Sequence, residues 1–161
     1  MPCIRFDSPV GRLTVTERDG AIVALGWDRA DGEPESETAV LAQARVELGE
    51  YFAGARRAFD LPLAPAGTPF MRRIWRALEK IPYGQTRTYG QLARNAGSGA
   101  RAVGLACGRN PIAILIPCHR VVAADGKLTG YSGGAGVATK RALLDLESGV
   151  RPLAGLQTGQ P

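Results

Sequence analysis

Polar and apolar residues follow two different periods along this chain. Over residues 3–27, Leu13 and Val15 alternate with polar neighbours, and Pro9-Val10-Gly11 breaks the first run. Asp19-Gly20 is a hairpin signal ahead of Ala21-Ile22-Val23-Ala24-Leu25, so an antiparallel meander is predicted. Residues 28–37 are acidic and hold Gly32 and Pro34, the composition of a solvated loop. Val40, Leu41, Ala44, Leu48, Tyr51 and Phe52 then recur at helical spacing up to Gly54. That helix should cover one face of the sheet. Pro62, Pro65 and Gly67 give residues 55–67 a linker composition, with the boundary between two units placed at 61–67.

Beyond the linker the period is mostly helical. Thr68-Pro69 offers an N-cap and a first-position proline, and Phe70, Ile74, Ala77 and Leu78 form a stripe over 69–79, with Trp75 beside it as core. Pro82-Tyr83-Gly84 turns the chain, and Thr86-Arg87-Thr88 is short and extended. Thr88 can cap a helix through about Asn95 that Gly97 stops. A second helix starts near Ser98 or Gly99 and ends at Gly108 or Arg109. Two short helices on a tight Gly-containing turn are a helix-turn-helix pattern. A last helix from about Val137 packs through Leu143, Leu144 and Leu146. The predicted fold is α/β, with an N-terminal antiparallel sheet plus helix over 1–60. A mostly helical, winged-helix-like unit follows over 68–149, then a tail over 150–161 expected to be mobile.

Charge divides the chain the same way. Residues 1–60 carry 7 basic and 11 acidic side chains, while residues 61–161 carry 13 basic and 4 acidic, and 17 of the 20 cations are Arg. The C-terminal part is therefore the candidate polyanion binder. No apolar run approaches the ~20 residues of a membrane span, and no signal-peptide core follows Met1. Three cysteines without framework spacing favour a reducing compartment, so a cytoplasmic location is expected. Cys3, Cys107, Cys118 and His119 lack paired-ligand spacing, so no metal is expected, and no cofactor motif is present; the glycines of 134–140 lack Walker spacing.

The chemistry concentrates in Ile112-Ala113-Ile114-Leu115-Ile116-Pro117-Cys118-His119-Arg120-Val121-Val122. A β-branched run of this kind predicts a buried strand or tight hairpin approach, yet it holds a thiol, the only histidine and an arginine. His119 and Arg120 can favour a thiolate at Cys118; a buried inert cysteine is the alternative. Successive side chains of a strand point to opposite faces, so either the chain turns at Pro117 or a water joins thiol and imidazole.

Pro117-Cys118-His119-Arg120 with Val121 resembles the active-site signature of the O6-alkylguanine-DNA alkyltransferases. Arg101-Ala102-Val103-Gly104 through Asn110-Pro111, Tyr131-Ser132-Gly133-Gly134 and Leu143-Leu144-Asp145-Leu146-Glu147 follow in that family's order and approximate spacing, over about residues 68–149. The resemblance implies a DNA repair protein that flips O6-alkylguanine from duplex DNA and moves the alkyl group irreversibly onto Cys118. It implies His119 acting through a water, oriented by Glu147, with Asp145 as a neighbouring alternative. Tyr89 would push the flipped nucleotide's phosphate and donate a proton to the purine, unless it is a packing residue. Arg101 would fill the gap left in the duplex.

The second helix is mostly small and apolar, which suits close approach to a minor groove and not readout of base edges. Arg101, Ala102, Gly104 and Ala106, with Tyr89, are the expected DNA contacts, while the resemblance implies that Asn110, Pro117, Tyr131, Ser132 and Gly133 form the hinge and substrate pocket. A monomer in solution is expected, with cooperative assembly on DNA left open. Alternatives are a lesion-binding module without transfer, a helix-turn-helix regulator and a cysteine hydrolase. The presence of Cys118, the shortage of base-reading side chains and the lack of an oxyanion-hole motif count against them in turn.

Overall fold

The computed structural model describes residues 1–27 and 34–149. Residues 28–33 of the expected acidic loop and the expected tail 150–161 lie outside them. The meander forms as predicted, from β1 (Cys3–Ser8), β2 (Gly11–Arg18) and β3 (Ala21–Trp27), antiparallel in the order β1-β2-β3. Asp19 and Gly20 both take positive φ, the requirement of the tightest hairpin turn, which explains the Asp-Gly pair. Ile4, Leu13, Val15, Ile22 and Leu25 are buried. α1 (Ala39–Phe52), capped by Thr38 at the Leu41 N–H, lays Leu41, Ala44, Leu48 and Tyr51 on that face.

The segment with linker composition is tied to the sheet edge: Ile22 N–H donates to the Pro62 carbonyl at 2.8 Å, and Ala64 N–H returns to Ile22 at 2.8 Å. α2 (Pro69–Glu79) starts at the Thr68 cap, and its Trp75 is core, with the indole N–H donating to the Ala106 carbonyl at 2.9 Å. β4 (Arg87–Thr88) leads directly into α3 (Tyr89–Ala96), where Thr88 and Gln91 cap each other. Gly97 ends α3 at φ 63°, and α4 (Ala100–Gly108) follows. α5 (Val137–Ser148) closes the described chain. The architecture is α/β with helices and sheet around one contiguous core. Among the described residues no helix is long and apolar enough to cross a membrane.

The apolar stretch before Cys118 is corrected. Ile112 makes a single bridge to Leu25, after which the chain turns; Ile114 takes φ 72°, a conformation a β-branched residue adopts only under constraint. Its burial comes from tertiary packing, not from a ladder. Leu25 N–H to Pro111 O at 2.9 Å and Ala113 N–H to Leu25 O at 3.1 Å fasten this loop to β3. After Pro117 the chain closes a 3-10 turn over Cys118–Arg120 and enters β5 (Val121–Val122), which pairs parallel with β4.

Candidate active site

The 3-10 turn resolves the problem posed by adjacent thiol and imidazole. With three residues per turn, consecutive side chains diverge by about 120°. Cys118 thus faces a cavity of about 300 Å³, whereas His119 and Arg120 turn inward. Tyr89, Cys107, Asn110, Tyr131, Ser132 and Gly133 line the same cavity, as do Leu25, Gly26 and Trp27 from β3. Asn110 is the brace of the loop: its amide donates to Ile116 O at 2.8 Å and its carbonyl accepts from Ile112 N–H at 2.9 Å.

Beneath the cysteine lies a closed polar network. Glu147 Oε2 meets His119 Nε2 at 2.7 Å, Tyr51 Oη at 2.6 Å and Arg120 Nη2 at 3.0 Å, while Oε1 takes Arg120 Nε at 2.7 Å. Arg120 Nη1 also donates to Ile81 O at 2.7 Å. Burial alone would raise the Glu147 carboxyl, but the hydrogen bonds and charges of His119 and Arg120 outweigh it and hold the group at about 2. An ionised carboxylate can only accept, so the His119 proton sits on Nε2 and Nδ1 carries the lone pair. That Nδ1 is buried and has no hydrogen-bond partner among the described residues. Burial lowers the His119 pKa despite Glu147, which keeps the ring neutral and able to take a proton.

This network predicts acid sensitivity. Glu147 titrates at about 2 folded against 4.5 ordinarily, so below 4.5 the unfolded chain binds the proton first. Stability contributed by the carboxylate, on the order of 3 kcal/mol, is complete above 4.5 and lost as pH falls toward 2. His119, also lowered, begins the loss below its ordinary 6.5. An acid titration followed by circular dichroism should show the wild type losing stability more steeply between those limits than Glu147→Gln.

Around Cys118 the balance is opposed. Burial raises the thiol, while an Asn110 hydrogen bond and the Lys140 charge pull it down. Lys140 is 1% exposed, donates to Thr129 O at 2.9 Å and stands 5.8 Å above the Tyr89 ring. Cys107 shares the cavity, and burial pushes its thiol up to about 12, whereas at Cys118 the Asn110 hydrogen bond and the Lys140 charge oppose the burial. Tyr131 packs edge-on to Trp27 at 6.2 Å, its buried hydroxyl without a hydrogen-bond partner among the described residues. A Cβ on Gly133 would overlap the Trp27 ring, which is why glycine stands there.

One sequence expectation is corrected. Ala106 is 1% exposed and its carbonyl is taken by Trp75, so it packs inward and is not on the outer face of α4. Pro117 stands at the start of the turn, where its carbonyl accepts the Arg120 N–H at 3.0 Å and closes it. Arg101 is exposed, about 9 Å along α4 from Cys107, and Ala102 and Gly104 are partly exposed. Leu105, 57% exposed on the same helix, was not singled out from the sequence. Nor were Trp27, Tyr51 and Lys140, which belong to the site only through long-range packing. Glu147, and not Asp145, is the carboxylate at His119.

Both parts of the chain resemble known proteins. Residues 69–149 match the family described as "6-O-methylguanine DNA methyltransferase, DNA binding domain", and residues 2–65 match "6-O-methylguanine DNA methyltransferase, ribonuclease-like domain". A methylated-DNA--protein-cysteine methyltransferase of Mycolicibacterium paratuberculosis is 49% identical over 148 residues, 88% of each chain. A constitutive one of Bacillus subtilis is 41% identical over 152 residues, 88% of this chain and 92% of that protein. The crystal structure of Mycobacterium tuberculosis OGT in complex with DNA superposes with a TM-score of 0.87 at 43% identity, covering 98% of this chain and 99% of that one. With both halves matched and the Cys-His-Glu arrangement in place, the chain belongs to the 6-O-methylguanine DNA methyltransferase family.

Proposed function

We propose that this protein repairs DNA by taking the alkyl group from O6 of a guanine onto Cys118, once per molecule. The observation that carries this reading is a thiol open to a base-sized cavity on the same 3-10 turn as a neutral, carboxylate-held histidine. An O6-alkyl group inside a stacked duplex is out of reach of a protein nucleophile, so the nucleotide must rotate out. The α4 backbone, bare of long side chains at Ala102 and Gly104, approaches the minor groove, and Arg101 fills the vacated stack. Lys and Arg of the C-terminal half hold the phosphates without reading sequence.

The transfer balances as a displacement. The Cys118 proton passes through a water to His119 Nδ1, sulfur forms a bond to the alkyl carbon, and the O6–carbon bond breaks. Its electron pair goes to the purine, which takes a proton from Tyr89 as it leaves. Burial raises the Tyr89 hydroxyl, so it is a protonated donor at neutral pH. Asn110 holds the loop carrying the sulfur, and Tyr131, Ser132 and Gly133 close the pocket over the base. The chain acts as a monomer, and the thioether product leaves no route back to the thiol.

The test is intact-protein mass spectrometry after incubation with a duplex carrying one O6-methylguanine. A gain of one methyl that saturates at one per chain and is absent from Cys118→Ala is expected. Binding to the lesion with no gain of mass would favour a lesion-binding module without transfer.

A further inference from the structure

Tyr51 lies on α1, in the half of the chain whose sequence carries no catalytic character, yet its hydroxyl reaches the carboxylate behind the active-site histidine. It donates to Glu147 Oε2 at 2.6 Å, the same oxygen that holds His119 Nε2 at 2.7 Å, and it is 0% exposed. Packing alone does not call for a phenol. The ring sits against Phe52 at 5.3 Å, Phe59 at 5.4 Å and Tyr83 at 6.3 Å, surroundings that suit phenylalanine equally well. Charge does not call for it either, since Arg120 already pairs with both oxygens. What the hydroxyl adds is a third donor on the one oxygen that faces the imidazole.

We propose that Tyr51 is a positioning residue for alkyl transfer: its hydroxyl fixes where the Glu147 carboxylate sits against His119 and how much of its charge reaches the ring. This rests on the function proposed above and assigns the N-terminal half a part in it. Oε2 shares its charge among three donors, so it stabilises a protonated His119 less than a bare carboxylate would. Burial, then Glu147, raises the Tyr51 hydroxyl, and it stays protonated as a donor throughout. The other titratable or charged groups around this pair are Arg120, Tyr83 and, toward His119, Lys140.

Tyr51→Phe removes one oxygen and keeps the ring. Single-turnover transfer from an O6-methylguanine duplex should slow about tenfold at neutral pH, with duplex affinity unchanged. The acid limb of its rate profile should move to higher pH, because the freed Oε2 holds the imidazolium more tightly. Placing 3-fluorotyrosine at position 51 strengthens the donor without changing the fold, and the limb should then move to lower pH. An unchanged rate in Tyr51→Phe, a slower rate with an unmoved acid limb, or the same direction of shift in both variants overturns the proposal. Wild-type protein that gains no methyl would instead overturn the function on which it rests.

Discussion

Glu147→Ala is expected to slow alkyl transfer on the order of 10³-fold, by analogy with loss of the orienting carboxylate of a catalytic triad. It should also cost about 3–5 kcal/mol of stability. Both effects follow from one group with four hydrogen bonds. Without the carboxylate, His119 Nε2 loses the acceptor that fixes its tautomer, and the lone pair is no longer held on Nδ1. Arg120, whose side chain is 7% exposed, keeps the Ile81 carbonyl and the face of the Tyr83 ring at 5.8 Å, so a guanidinium stays buried without its counter-charge. Tyr51 loses its partner as well. Glu147→Gln separates the two consequences, since the amide retains volume and one acceptor but cannot neutralise Arg120. Single-turnover rates and urea unfolding of the two variants check this. A Glu147→Ala protein as active as wild type would mean that His119 is oriented by something other than this carboxylate.

The elements legible in the sequence are those fixed by local chemistry. Asp19-Gly20 turns β2 into β3, Thr68-Pro69 starts α2, and Thr88 and Gly97 bracket α3, each through bonds within a few residues. Cys118, His119 and Glu147 were legible because their order and spacing resemble a known family, although no local rule brings residues 119 and 147 together. Ile112–Ile116 misled because β-branched burial resembles a strand, whereas a kinked loop packed on β3 buries the same residues. Ala106 misled because α4 is mostly small and apolar, so residue type does little to distinguish its inner face. Trp27, Tyr51 and Lys140 left no local signal. A tryptophan ending a strand, a tyrosine in a helical stripe and a lysine in an amphipathic helix acquire their roles only when α1, β3 and α5 meet. The one indirect trace is Gly133-Gly134, where two adjacent glycines make room for the Trp27 ring.

Lys140→Met is expected to uncouple reactivity from stability. Among the described residues, three ionised side chains lie around the nucleophile: Glu147 and Arg120 cancel each other, and His119 is neutral, which leaves the charge of Lys140, weakened by burial and favoured by the two thiols. These described groups sum to one positive charge, which a single thiolate at Cys118 would match. Burial raises that thiol, and of the forces opposing it only Lys140 carries a full charge. Methionine has nearly the length of lysine and no charge, so the packing of α5 survives, and removing a buried ammonium offsets the lost bond to Thr129 O. Unfolding free energy should change by less than about 1.5 kcal/mol. The rate of methyl transfer at neutral pH should fall about tenfold or more, because the nucleophile is the thiolate and its population falls with the loss of the cation. Since the deficit is one of ionisation, it should shrink as pH rises, so that the variant approaches the wild-type rate on the alkaline side. Alkylation of Cys118 by iodoacetamide across the same pH range, without DNA, measures the thiol alone and should show the same displacement. If the variant were slow at every pH to the same degree, Lys140 would be holding the Tyr89–Thr129 wall of the pocket in place and not supplying charge to the sulfur.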